Sequence, residues 1–387
     1  MIFHGNKESR KTNRNAFLKK LSVPLVLILI LVFVFLSYLL ESRLFLIGKA
    51  VYPAYTFTEK AVNGLKKDTA AIRDTIVYCD YYTWLGPQNW GRGHSDMPLL
   101  GFYDSLDEKV IKEHIKWANE YGIDVLKIEY IPQFDKTIIS GILNHDLGDT
   151  RLCLMYDSRL RFESVGYSKP PYDFNDESIK KTFLDDLNHI ADTYFASSNY
   201  FKINGRPVLW IYVTRDFTGN YKSVIGQARQ NLKNKGFDVY LVGDQVFYNY
   251  KLCAISAFDA VSCYSAYGGR PQNTADFGQR LKFLYMVWKT AAQMAGKDFI
   301  PSGIPAYDDR CLENERESLP VLSGTAQDFN FQLQILSNLL DPVNIDPELN
   351  QVSIATFNEH QEGTSIEPSE DWGFSRIEQI PLVFGKN

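Results

Sequence analysis

The sequence predicts an α/β protein, a (β/α)8 barrel preceded by a single N-terminal transmembrane helix. Three observations carry that expectation. Eight short runs rich in β-branched and aromatic residues recur along residues 73–387. Amphipathic stretches lie between most of them, and residues 21–40 carry no charge. A doubly wound open sheet is the competing reading, weakened because no G-x-G-x-x-G follows any of the runs.

Residues 1–20 hold Lys7, Arg10, Lys11, Arg14, Lys19 and Lys20 against Glu8 alone. The stretch 21–40, LSVPLVLILILVFVFLSYLL, then spans the roughly 30 Å hydrocarbon layer at about 1.5 Å per residue. The basic flank puts residues 1–20 in the cytoplasm and the remainder across the membrane. A cleaved signal peptide is the alternative, but its apolar core is usually roughly 7–15 residues and ends in small residues. The expectation is a single-pass type II protein, facing the Golgi lumen in a eukaryote or the cell surface in a prokaryote. Residues 41–72 form a short stem. Residues 73–387 contain no Pro/Gly/Ser linker and no repeat, so they read as one domain.

Strand-like runs occupy residues 75–82, 124–130, 151–156, 207–212, 239–243, 260–264, 299–306 and 352–357. Helix-like stretches occupy 107–121, 176–194, 221–235, 274–294 and 326–340. The first of these aligns Val110, Ile111, Ile115 and Trp117/Ala118 on one stripe. Composition narrows the partners. The net charge of -5 divides into +5 over residues 1–20 and, with 35 basic against 45 acidic residues, -10 beyond them. An acidic domain argues against a nucleic-acid partner. Five scattered Cys with no C-x-x-C pair suggest neither a disulfide framework nor structural zinc. Cys79, Cys153 and Cys263 fall inside strand runs and read as small buried hydrophobes. His114, His145 and His189 read as ordinary core or surface residues.

In a barrel the chemistry sits where strands end. Those ends offer Asp80-Tyr81-Tyr82-Thr83-Trp84, Glu129-Tyr130, Tyr156-Asp157, Tyr212, Asp244-Gln245, Tyr264, Tyr307-Asp308-Asp309-Arg310 and Asn358-Glu359-His360-Gln361-Glu362. One such carboxylate is commonly a residue bonding its own loop; their recurrence is what points to a site. Paired carboxyl groups among aromatic faces suit glycosidic bond cleavage, one giving a proton and the other acting as base or nucleophile. Glu359 and Glu362, three apart, project to one side of a short helical turn. His94 lies in the glycine-bearing loop after strand one and is a candidate for the cleft. A metal hydrolase built on Asp308, Asp309, Asp80 and His94 is a weaker alternative.

The segment Asn358-Glu359-His360-Gln361-Glu362-Gly363-Thr364-Ser365-Ile366-Glu367-Pro368 resembles the W-N-E-W-H-E-G-T-x-I-E-P signature of glycoside hydrolase family 99, the endo-α-mannosidases and endo-α-mannanases. Tyr81-Tyr82-Thr83-Trp84, Leu99–Ser105, Phe258–Tyr264 and Ile304–Asp309 are similar to further elements of that family, in order along the chain. The resemblance implies a retaining endo-α-mannosidase without a cofactor or catalytic metal, acting on an α-mannose-containing oligosaccharide or polysaccharide. Glu359 becomes the base that deprotonates the sugar 2-hydroxyl, and Glu362 the acid. The resemblance implies substrate contacts at Tyr82, Asp157, Tyr264, Tyr307 and His360, and position at the strand ends or in the loop after strand one adds Trp84, His94, Glu129, Tyr212 and Asp309. Phe357 and His360-Gln361 depart from the family's Trp and Trp-His, which puts one subsite in question. Two alternatives stay open: a hydrolase of another surface polysaccharide, and a membrane-tethered glycan-binding protein without catalysis.

Overall fold

The computed structural model describes residues 75–386 apart from 92, 133–134, 268–271, 313–320 and 341–349. The basic tail, the uncharged stretch 21–40 and the stem therefore lie outside the described residues. Among the described residues no helix is long and apolar enough to cross a membrane.

The principal sheet is built of parallel strands: β1 (Thr75–Tyr81), β2 (Val125–Tyr130), β3 (Arg151–Tyr156), β4 (Arg206–Ile211), β5 (Tyr240–Asp244), β6 (Ala260–Ser262), β7 in two pieces (Asp298–Phe299 and Ser302–Gly303) and β8 (Asn350–Ile354). These strands read as near-continuous apolar runs because both of their faces are covered. The sheet curls until its last strand meets its first, with Thr75 opposite Asn350 and Cys79 opposite Ile354. That geometry is consistent with a (β/α)8 barrel.

Strand seven departs from the continuous run expected over 299–306. Asp298 and Phe299 pair with β6, whereas Ser302 and Gly303 pair with β8. Pro301 lies at the break, since it has no N–H to give a ladder. Its carbonyl still accepts from the Ser353 N–H at 2.9 Å. The segment thus bonds β6 on one side and β8 on the other.

Among the described residues, the α-helices longer than four residues are α1 (Glu108–Glu120), α2 (Asp135–Leu143), α3 (Ser158–Ser164), α4 (Glu177–Tyr194), α5 (Tyr221–Asn234), α6 (Thr274–Met294), α7 (Ala326–Ser337) and α8 (Gln379–Phe384). The five expected helical stretches are present within a few residues; α2, α3 and α8 are additional. Asp107 starts α1 by accepting the Lys109 N–H, and α7 opens with a Thr325/Asp328 capping box. The stripe on α1 buries Val110, Ile111, Ile115, Trp117 and Ala118, and also His114. Before β4, Asn204 and Gly205 both take positive φ, the two-residue turn that lets Lys202–Ile203 fold back on the strand.

Side chains fill the space inside the sheet in layers. Tyr78, Gln351 and Tyr240 form one hydrogen-bonded set that ends on Asp298. Nearer the C-terminal ends, Lys127 is fully buried, 3.0 Å from Asp80 and 3.1 Å from Ser353, with its ammonium 3.7 Å from the Trp210 ring centre. Cys79, Cys153 and Cys263 are buried free thiols, as their strand positions suggested.

Candidate active site

The C-terminal ends of the strands supply the site residues. Glu359 and Glu362 stand on the loop that follows β8. That loop is closed on itself: the Thr356 N–H donates to the Thr364 carbonyl at 3.0 Å, and the Glu359 N–H donates to Thr356 Oγ1 at 2.9 Å. It is also clamped from the next strand, because Asn358 and the Tyr82 backbone exchange two hydrogen bonds of 2.8 Å. Such clamping holds both glutamates on rigid backbone rather than on a free loop.

Glu359 is 6% exposed, and its Oε1 accepts the Gln361 N–H at 3.0 Å. Burial, then the charge of Glu362, push its carboxyl up to about 8, against the lowering effect of backbone N–H groups. Glu362 is half-buried, and its Oε2 accepts from the Tyr264 hydroxyl at 3.0 Å. The charge of Glu362 thus bears directly on the Glu359 carboxyl.

Several of the expected contacts gather around this pair. The Tyr82 phenol is pushed well above its ordinary value by burial and then by the charges of Glu129, Asp80, Glu359 and Glu362. Tyr264 is raised similarly by burial, Glu362, Tyr82 and Glu359. Both phenols thus sit within electrostatic reach of the glutamates. Tyr212 packs edge-on to Tyr264 at 5.9 Å, and Trp84 edge-on to Tyr82 at 6.0 Å. Glu129 and Asp157 share a hydrogen bond; burial and then Asp157 lift Glu129 far above the carboxylate range. Their meeting follows from register, since β2 and β3 are neighbours with Tyr130 opposite Tyr156. Asp157 has a second duty, accepting the Leu160 N–H at 2.8 Å to cap α3.

The remaining expected residues sit farther out or deeper. Tyr307 donates to Asp309 at 2.9 Å in the loop after β7, and Asp308 joins that loop to the one after β8 by donating its N–H to the Glu362 carbonyl at 2.7 Å. His94 packs with Trp90 and Phe102 in a shallow apolar hollow that Pro87, Gly91 and Gly93 also line. His360 is fully buried beneath the loop and bonds Glu367 at 2.9 Å, leaving no exposed surface for a sugar.

Two buried features escaped the sequence reading. Glu367 accepts hydrogen bonds from His114, His360 and Tyr103, and although burial would raise it, His114 and then His360 bring it down to about 2. The Lys127 ammonium lies under the cleft beside Asp80, whose carboxyl burial raises to about 6 against the attraction of that cation. The available signals were a His on the apolar stripe of α1 and a Lys within the β2 run. Among the described residues no group of three or more His, Cys, Asp or Glu side chains is placed to hold a metal ion.

Known proteins match this arrangement. The family model described as "Glycosyl hydrolase family 99" matches residues 88–372. A mouse "Glycoprotein endo-alpha-1,2-mannosidase-like protein" is 24% identical over 288 residues, covering 71% of this chain and 58% of the relative. A rat "Glycoprotein endo-alpha-1,2-mannosidase" is 25% identical over 295 residues, 71% of this chain and 57% of the relative. The chain thus spans under three-fifths of the length of these curated relatives. A solved "Glycoside hydrolase-like protein" superposes with a TM-score of 0.65 at 19% identity, covering 81% of this chain and 94% of that one. The family 99 endo-alpha-mannosidase from Bacteroides thetaiotaomicron gives a TM-score of 0.58 at 17% identity, covering 80% and 95%. At these identities the structural likeness shows the fold; the family match, over most of the chain and across the Glu359–Glu362 loop, shows that this chain belongs to glycosyl hydrolase family 99.

Proposed function

We propose that the protein is a retaining glycoside hydrolase that cleaves α-mannosidic linkages within glycans. The observation that carries this reading is the Glu359–Glu362 pair, clamped on one loop, with Tyr264 donating to one carboxyl and burial raising the other. One proton shared by the pair supplies both an acid and a base. Glu359, with its raised affinity for a proton, takes one from the sugar 2-hydroxyl, and the 2-oxygen displaces the leaving group to give a 1,2-anhydro sugar. Glu362 protonates the departing oxygen and then deprotonates the water that opens the anhydro ring at the anomeric carbon, while Glu359 returns its proton to the 2-oxygen, which restores both carboxyl groups. The names of the mammalian relatives favour an α-1,2 linkage between mannose residues.

A second reading of the roles has one observation behind it. With Tyr264 donating to Glu362 and burial raising Glu359, the resting proton belongs on Glu359. That is the opposite of what the first step needs. Either binding of the sugar moves the proton, or the two roles are exchanged. Aryl mannosides with acidic leaving groups separate these, because they need no general acid. Glu362→Gln should keep much of its activity on such substrates while Glu359→Gln loses roughly 10²–10⁴-fold. The reverse pattern assigns the acid to Glu359.

We further propose that residues 21–40 anchor the enzyme, with residues 73–387 outside the cytoplasm. Carbonate extraction of membranes from expressing cells tests this: the full chain should stay in the pellet. Release into the supernatant would remove the anchor.

A further inference from the structure

Behind the catalytic loop lies a closed, buried hydrogen-bond chain that the reaction itself does not use. Glu367 is its centre. Its Oε1 faces His114 Nε2 at 3.0 Å, and its Oε2 faces both His360 Nε2 at 2.9 Å and the Tyr103 hydroxyl at 2.8 Å. The far nitrogens are also engaged, His114 Nδ1 by the Tyr81 hydroxyl at 2.9 Å and His360 Nδ1 by Ser365 at 3.3 Å. With both Nε2 atoms protonated, every one of these bonds has one donor and one acceptor, so the chain fixes the tautomers of both rings. Glu367, His114 and His360 are all fully buried.

The chain reaches the catalytic loop twice. His360 is the residue after Glu359. Asn358, the residue before it, donates to the Tyr103 hydroxyl at 3.4 Å and clamps the Tyr82 backbone. Tyr103 is itself pinned, because the Trp90 indole donates to its carbonyl at 2.7 Å. Glu359 is thus flanked on both sides by residues tied to one carboxylate. The other end of the chain is Tyr81 on β1 and His114 on α1, elements of the rigid frame.

We propose that Glu367 is a positioning residue that ties the Asn358–His360 segment to β1 and α1 and so fixes the direction of the Glu359 carboxyl. This rests on the reading of Glu359 and Glu362 as the catalytic pair. Two variants test it: Glu367→Gln, whose amide puts a donor where the carboxylate accepts, and Tyr103→Phe, which removes one hydroxyl and keeps the ring. Each is assayed well below its own Tm on an α-1,2-linked mannotriose, with hydrogen exchange of residues 358–364 measured without any sugar.

The expected result is a fall in kcat of about 10- to 100-fold for Glu367→Gln, with KM changed by less than about threefold. Tyr103→Phe should show a smaller fall of the same kind, and exchange in the loop should quicken in both while that of β2 and β3 does not. Should Glu367→Gln fail to fold, Tyr103→Phe carries the test. Unchanged kcat in a folded variant, or a rise in KM alone, overturns the proposal. So does unchanged loop exchange, which needs no substrate. A wild-type enzyme inert on mannotriose overturns the mannosidase reading instead, and the exchange measurement still decides the positioning role.

Discussion

Glu359 carries opposite obligations to stability and to chemistry. Its carboxyl ordinarily loses a proton near 4.5, and the folded chain holds that proton to about 8. Between those values the folded state binds more protons than the unfolded one, so this group's contribution to stability falls as pH rises and is gone above about 8. Glu359→Gln should therefore abolish turnover yet be more stable than the parent at pH 8, by on the order of 2–4 kcal/mol. The gap should close towards pH 4.5. Chemical denaturation at the two pH values measures it, and a variant less stable at pH 8 would contradict the burial argument. Glu367 runs the other way. Held at about 2 against an ordinary 4.5, it stabilises the fold above 4.5, and that stability is lost as pH falls towards 2. In Glu367→Gln the acid arm of the stability profile should flatten between those values.

At the scale of elements, what the sequence made legible was the set of strand ends. Glu129, Asp157, Tyr212, Tyr264 and Glu359 could be placed at one rim because each closes a buried apolar run, and parallel strands put their C-terminal ends together. What could not be read were partners set by register and by helix packing. His114 looked like an ordinary helical residue; only docking of α1 against the frame brings it to Glu367. The break in strand seven turns on which neighbour takes each half, although Pro301 was in plain view. Lys127 follows from register too, standing opposite Asp80 across β1 and β2. Because that ammonium is wholly buried, Lys127→Met would leave Asp80 unpaired and cost about 3–5 kcal/mol. Adding Asp80→Asn should restore most of the loss. Urea unfolding of the single and double variants checks this, and additive losses would mean that the pair does not interact.

For the molecule as a whole, the charge division of the chain takes on a meaning. Some of the acidity beyond residue 20 is concentrated at one rim of a parallel sheet, where Asp80, Glu129, Asp157, Glu359 and Glu362 stand near one another over the buried Lys127. Burial first, and then the charges of neighbouring carboxyl groups, raise Glu129 and Glu359, so these groups do not all ionise together. On the proposed mechanism the active form holds one proton on the Glu359–Glu362 pair. The kcat/KM profile should therefore fall above about pH 8 as that proton leaves. A profile flat well past that point would mean that the pair does not share the proton.

The central claim is that Glu359 and Glu362 cleave an α-mannosidic bond with retention. Its most direct test is to incubate the full chain with a panel of defined α-mannosyl oligosaccharides and follow the first-formed anomer by NMR. An α-configured reducing end should be released by the parent enzyme, and none by Glu359→Gln. Release of the β-anomer would contradict the retaining mechanism, and equal release by the parent and by Glu359→Gln would contradict the site.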